Sequence, residues 1–288
     1  MKLALGTAQF GLNYGLNNSR GNIPQDEVVE ILKRSIDAGI DLLDSAYIYG
    51  NSLDIIGSFL RGSKANLKIV SKLPQFNPQD LEHKFFEMLN RIGVRKIYGL
   101  LYHDFNFFIN WPKTWETMRK LKEQGVVEKI GFSLYYPGEI DKLLKKEVQF
   151  DLVQVPYSIF DQRFSKVFSL LKRKGIEIHV RSVFLQGAIF KDPDELDDFL
   201  VGIRDKLVAL RRISEQFDIP LSALGINFVL LNEYVDRVII GIDGINNLEE
   251  NIGSLNYMTD VRGMHEKLLE LREDNEDLIL PINWPKAE

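Results

Sequence analysis

A short apolar run, an amphipathic stretch and a glycine recur along this chain at a nearly constant interval, and that beat constrains the fold more than any single motif. Runs rich in Val, Ile and Leu occur at Leu3 to Ala8, Asp41 to Asp44, Lys68 to Lys72, Ile97 to His103, Val127 to Ser133, Asp151 to Val155, Ile176 to Ser182 and Val238 to Gly241. Each is too short for a helix and lacks strict polar alternation, which is the pattern of a strand buried on both faces of a parallel sheet. Between run ends the chain advances 28 residues from Asp44 to Lys72, 31 from Lys72 to His103 and 30 from His103 to Ser133, the size of one βα unit. Leu81, Phe85, Leu89 and Ile92 share one helical stripe behind Asn77 as N-cap and Pro78 at the first helical position. Gly39, Gly93, Gly125 and Gly175 each stand after such a stretch and before a run, where a left-handed residue closes a helix.

Eight runs with this spacing predict an α/β fold, a (β/α)8 TIM barrel forming a single domain over residues 1–288. The last interval, Ser182 to Gly241, is 59 residues and holds two helical patterns, around Asp194 to Phe217 and over Leu221 to Leu231. It predicts an elaborated connection after the seventh strand, and the residues after Asn247 predict a helical C-terminal tail. A doubly wound open sheet is the competing architecture, but the first run leads into Gly6, Thr7, Ala8, Gln9, Phe10, Gly11 without the G-x-G-x-x-G of a dinucleotide-binding sheet.

Composition narrows the ligand. The 36 Lys and Arg stand against 41 Asp and Glu with no basic cluster interleaved with aromatics, which argues against nucleic acid or an anionic membrane as partner and leaves small molecules. The chain has no cysteine, so it has no disulfide framework, thiol nucleophile or thiolate metal site. The opening MKLALGTAQFG lacks the apolar stretch of a signal peptide, and no segment approaches the ~18 apolar residues of a membrane span. A cytoplasmic location is expected, and no pattern specifies an oligomeric state.

In such a barrel chemistry sits at the C-terminal ends of the strands. The second run ends in Asp44 and leads into Ser45, Ala46, Tyr47, Ile48, Tyr49, Gly50; the third ends in Ser71, Lys72; the fourth in Tyr102, His103, Asp104. A lysine ending an apolar strand needs a partner, because an unpaired buried ammonium is costly, and Asp44 on the neighbouring strand is placed to supply it. The pair would hold a cation beside a tyrosine above it, favouring the phenolate and lowering the phenol pKa from its reference of ~10 toward the range of a general acid. The rival reading is a buried ion pair that closes the barrel mouth, with Tyr49 and His103 packed beside it.

The segment Asp44, Ser45, Ala46, Tyr47, Ile48, Tyr49, Gly50, Asn51, Ser52 resembles the aldo/keto reductase signature D-[TS]-A-x-x-Y-G-x-S; Val70, Ser71, Lys72 resembles the family's strand-end Ser-Lys, and Leu101, Tyr102, His103 its strand-end His. The resemblance implies that Asp44, Tyr49, Lys72 and His103 form the catalytic tetrad of an NAD(P)H-dependent reductase. It implies hydride transfer between nicotinamide and a carbonyl or alcohol, with Tyr49 as general acid and no metal. The opening LGTAQFGLNYG and the segment RSVFLQG further resemble members found in bacterial polysaccharide and sugar-nucleotide pathways.

The cofactor half departs from the family pattern. Gly131, Phe132, Ser133, Leu134 resembles its G-x-S-N, with Leu134 in place of the asparagine, so a hold on the nicotinamide amide falls to Ser133 and to Gln154. Arg181 and Ser182 stand where many members carry Y-S and stack the aromatic on the nicotinamide; Arg181 is suited to stacking, to a phosphate or to an edge ion pair. The segment containing Gly241, Asp243, Asn247 and Asn251 resembles the motif where a helix N-terminus receives the adenosine phosphate. The basic residues usual there for the 2′-phosphate are missing, and Asp243 is instead suited to a ribose hydroxyl. Family habit makes NADP the expected cofactor, and the carboxylate keeps NAD as the alternative. Tyr14, in the connection Phe10 to Pro24, and Phe105 and Trp111, in the aromatic stretch Asp104 to Trp111, are candidate substrate-binding residues; Arg20 and Arg163 are candidate phosphate contacts. Two other functions fit parts of this pattern: a cofactor-binding regulatory subunit with little turnover, and a lyase or isomerase using Lys72 as a Schiff-base amine.

Overall fold

The computed structural model describes residues 1–18, 20–63 and 65–285. Eight strands, β1 (Leu3–Gly6), β2 (Leu42–Asp44), β3 (Lys68–Leu73), β4 (Ile97–Tyr102), β5 (Val127–Ser133), β6 (Leu152–Pro156), β7 (Glu177–Arg181) and β8 (Arg237–Ile240), close into one parallel barrel in sequence order. Closure is made by β1 on β8, pairing Leu3 with Val238, Ala4 with Ile239 and Leu5 with Ile240. An open doubly wound sheet is thereby excluded, and every expected strand is present within two residues of its expected ends.

Helices α1 (Gln25–Asp37), α2 (Ser52–Gly62), α3 (Leu81–Ile92), α4 (Phe105–Asn110), α5 (Thr114–Glu123), α6 (Pro137–Lys145) and α7 (Ser165–Arg173) follow the first six strands. Gly39, Gly93, Gly125 and Gly175 all have φ between 74° and 83°, the left-handed conformation that lets a helix end turn at once into a strand. Asn77 caps as expected, accepting from the Gln79 amide, but the turn it opens (Pro78–Asp80) is a 3₁₀ turn that feeds α3. The long connection after β7 contains two 3₁₀ turns, Leu185–Phe190 and Asp198–Ile203, then α8 (Arg204–Phe217) and α9 (Leu221–Leu230). α10 (Ile245–Gly253) packs against α1 and α9, and α11 (Met258–Gly263), α12 (His265–Leu269) and α13 (Glu276–Ile279) make the helical tail.

The period of two along the strands explains both the apolar runs and the placement of the site. Leu3, Leu5, Leu43, Ile69, Leu100, Val153 and Val238 face outward into the large core under the helices. Their neighbours Ala4, Leu42, Val70, Leu101, Leu152 and Ile239 form a second, smaller core inside the barrel. Two residues further along, the same parity puts Asp44, Lys72, His103 and Gln154 above that inner plug. Below it, Glu177 accepts hydrogen bonds from the Tyr98 hydroxyl and from His179 Nε2, both at 2.7 Å, and pairs with Lys129. His179 is therefore a packed interior residue.

Candidate active site

A cavity of about 970 Å³ opens at the C-terminal ends of the strands. At its floor the Lys72 side chain is 1% exposed. Its Nζ donates to Asp44 Oδ2 at 2.6 Å and to the Ser45 carbonyl at 2.9 Å, and Gln154 Nε2 donates to Asp44 Oδ1 at 2.6 Å. Lys72 thus has the partner its burial demands. Tyr49 lies above, its ring centroid 5.3 Å from Lys72 Nζ and 6.0 Å from the His103 ring, which it meets edge-on.

The electrostatics differ from the sequence-based expectation in one respect. Burial pushes the Tyr49 phenol well above its ordinary value, and the Asp44 carboxylate pushes the same way against a smaller downward pull from Arg181. These raising effects prevail because Asp44 sits directly on Lys72 and opposes the pull of the ammonium on the ring. Burial likewise draws Lys72 down, opposed by the charge and hydrogen bond of Asp44. His103 is pushed down to about 3, first by burial and then by the charges of Lys72 and Arg181, so its imidazole is neutral at working pH.

The cofactor candidates converge on the same cavity. Ser133, Gln154, Arg181 and Ser182 line one side, and Gly241, Asp243, Asn247 and Asn251 line the arm that runs toward α10. Gln154 is fully buried and its Oε1 has no hydrogen-bond partner among the described residues; a carboxamide N–H would supply that donor. A Cβ on Gly241 would meet the Gln9 side chain at 3.1 Å, so the bare backbone leaves room at that wall. These features fit a nicotinamide dinucleotide. Leu134 is buried in the outer core, offering only its carbonyl, which accepts from Arg181 Nη2 at 3.1 Å. Arg181 has its guanidinium carbon 4.2 Å from the centroid of the Tyr135 ring.

Tyr14 lines the cavity, its hydroxyl accepting from Gln186 Nε2 at 2.8 Å. The expectation for Phe105 and Trp111 is corrected. Asp104 caps α4, and Phe105 packs with Phe108 on Phe132 behind the barrel wall, while Trp111 is 53% exposed; neither lines the cavity. Arg163 is held by Asp161 at 2.8 Å and Glu276 at 2.7 Å, and Arg20 by Glu27 at 2.7 Å, so both guanidiniums already have carboxylate partners. Three residues not singled out in the sequence stand at or behind the cavity wall. Tyr135 follows the strand-end Ser133 by two and shares its wall, Gln9 backs Gly241, and Glu27 accepts from the Ile245 amide at the start of α10 at 3.1 Å.

A closed eightfold βα barrel with a buried Asp and Lys pair beneath a tyrosine and a neutral histidine defines an oxidoreductase of the aldo/keto reductase type. The sequence pattern of the Aldo/keto reductase family matches residues 2–267, and the chain belongs to that family. Its relatives include an uncharacterised oxidoreductase of Bacillus subtilis, 23% identical over 88% of this chain and 91% of the relative. Another is a D-threo-aldose 1-dehydrogenase of a Pseudomonas species, 25% identical over 83% of this chain and 87% of the relative. Among solved structures, an aldo-keto reductase from Bacillus halodurans in its holo form superposes with a TM-score of 0.75, covering 96% of this chain and 95% of its own at 20% identity.

Proposed function

We propose that this protein catalyses reversible hydride transfer between a nicotinamide dinucleotide and the carbonyl or alcohol of a small aldehyde, ketone or sugar derivative, with Tyr49 as general acid and base. The observation that carries the reading is the stack of Asp44, Lys72, Tyr49 and His103 at one end of one cavity. The bound nicotinamide supplies the hydride. Ser133 and the free Gln154 Oε1 are the groups to hold its carboxamide, with Gly241, Asn247 and Asn251 along the arm toward α10. Tyr49, kept protonated by its burial, is in the correct state to donate to the carbonyl oxygen as negative charge develops on it. Lys72, over the ring, then stabilises the phenolate left behind, and neutral His103 offers a hydrogen bond to the same oxygen. The Schiff-base alternative finds no support, since Lys72 Nζ is buried and committed to Asp44 and Ser45. The regulatory-subunit alternative would leave that buried quartet without a use.

Cofactor choice turns on the arm at α10. NADP is the family habit, yet its extra phosphate would meet Asp243 and Glu250 in the lining, with Glu27 on the first helical amide and Arg20 already paired. Carboxylates repel a phosphate and accept from ribose hydroxyls, so the geometry favours NAD.

The decisive experiment is Tyr49→Phe assayed against a panel of aldehydes, free sugars and keto-sugars. Turnover falls by at least ~100-fold, the scale of a lost general acid, while cofactor binding read by fluorescence quenching persists. Undiminished turnover in the variant would remove Tyr49 from the role.

A further inference from the structure

Among the described residues, three cations line the cavity and its arm: Lys72, Arg20 and Arg181. Lys72 is paired with Asp44 and Arg20 with Glu27. Arg181 has no carboxylate partner among the described residues. Its Nη2 donates to the Leu134 carbonyl at 3.1 Å and its Nη1 to Ser182 Oγ at 3.3 Å, leaving three of its five N–H groups without a protein acceptor in the described structure. The guanidinium carbon lies over the Tyr135 ring at 4.2 Å from its centroid, which restrains the group against that face. The half-buried charge stands close enough to Tyr49, His103 and Lys72 to pull on the titration of all three. A cation withdrawn from water without a counter-charge is unfavourable, and a planar fork with free donors is the shape that grips a carboxylate or phosphate in two-point fashion.

We propose that Arg181 is the oxyanion receptor of this cavity, so that an anionic group, carried by the substrate or by the cofactor diphosphate, is bound beside the reacting centre. The proximity to Tyr49 and His103 favours the substrate as its source, which makes the preferred substrates carbonyl or alcohol compounds bearing a carboxylate or phosphate. This inference rests on the hydride-transfer reading for the identity of the site, and calorimetric titration separates the two.

Native protein, Arg181→Met and Arg181→Lys are titrated with NADH, with glucuronate, glucose 6-phosphate and succinic semialdehyde, and with glucose and butanal as uncharged counterparts. At least one anionic probe binds the native protein ten-fold or more tighter than its uncharged counterpart, the preference disappears in Arg181→Met and returns in part in Arg181→Lys, and NADH is unaffected. Loss of NADH affinity by ten-fold or more in Arg181→Met, without any anion preference, places the diphosphate on Arg181 instead. Native protein that prefers no anionic probe, together with unchanged NADH affinity in Arg181→Met, overturns the proposal. Arg181-dependent anion binding by a protein that binds neither NADH nor NADPH would retain the receptor and defeat the hydride-transfer reading. Arg181→Gln, nearer in shape, replaces the methionine variant if the latter does not fold.

Discussion

His103 shows how burial near charge fixes the working state of a single side chain. Its imidazole is held down to about 3 by burial and by the cations Lys72 and Arg181, against a reference near 6.5. Lowered basicity in the folded state means that the unfolded chain binds the proton first as pH falls. Stability from this residue is therefore whole above about pH 6.5 and lost progressively toward pH 3. At pH 5 the loss is at most about 2 kcal/mol, from about 1.5 pH units at ~1.4 kcal/mol each. Urea unfolding at pH 7 and pH 5 should show a smaller pH effect in His103→Gln than in the native protein; equal slopes would refute the assignment. The same reasoning explains why the lysine does not acidify Tyr49. The spacing of Asp44, Tyr49 and Lys72 was legible in the sequence, but the 2.6 Å pairing that sets a carboxylate against the ammonium is a distance, and a distance is not written in a motif.

At the scale of elements, the strand pair β5 and β6 depends on a missing side chain. A Cβ at Gly131 would stand 1.7 Å from the Leu152 carbonyl oxygen, whereas one at Gly138, in the first turn of α6, would meet nothing within 4 Å. Gly131→Ala should destabilise by about 3 kcal/mol, the upper range for forced overpacking, and Gly138→Ala should stabilise by about 0.5 kcal/mol through the unfolded chain. Urea midpoints of the two variants check both signs, and a neutral Gly131→Ala would mean that the strands separate freely. The connection after β7 carries a different kind of constraint. Ser182, Leu185, Gln186 and Gly187 all have positive φ, and the segment is clasped by the β1 connection through Leu16 N to Gln186 O at 2.9 Å and Asn17 Nδ2 to Gly187 O at 2.7 Å. Three of those four residues are not glycine, so local sequence rules give no sign of the turn; the clasp holds it. The aromatic stretch at α4 misled for the converse reason. Its residues look like a sugar platform in one dimension, but a helix capped by Asp104 turns Phe105, Phe107 and Phe108 onto the barrel wall.

At the scale of the molecule, elements far apart in sequence shape the arm of the cavity at α10. Glu27 from α1 reaches the first amide of α10, 218 residues away, and ties up Arg20 at the same time. NADH should therefore bind at least as tightly as NADPH. Glu27→Ala, which frees both the amide and the guanidinium, should tighten NADPH by about ten-fold, the yield of one charge-assisted contact, and leave NADH nearly unchanged. Fluorescence titration with the two dinucleotides reads this directly, and a native preference for NADPH would defeat the carboxylate argument.

The sequence by itself determined the barrel and which residues meet at the floor of its cavity. Strand length and period-two burial are local properties repeated around the barrel, left-handed glycines close four of the helix-to-strand turns, and Asp44, Lys72 and His103 occupy the first inward positions above the inner plug. The tertiary structure alone decided what those residues do to one another: Asp44 set against Lys72, Arg181 over Tyr135 without a counter-charge among the described residues, Glu27 on a distant helix start, Phe105 turned away. Charge and packing act through space, and the fold sets those distances between residues that no local pattern relates.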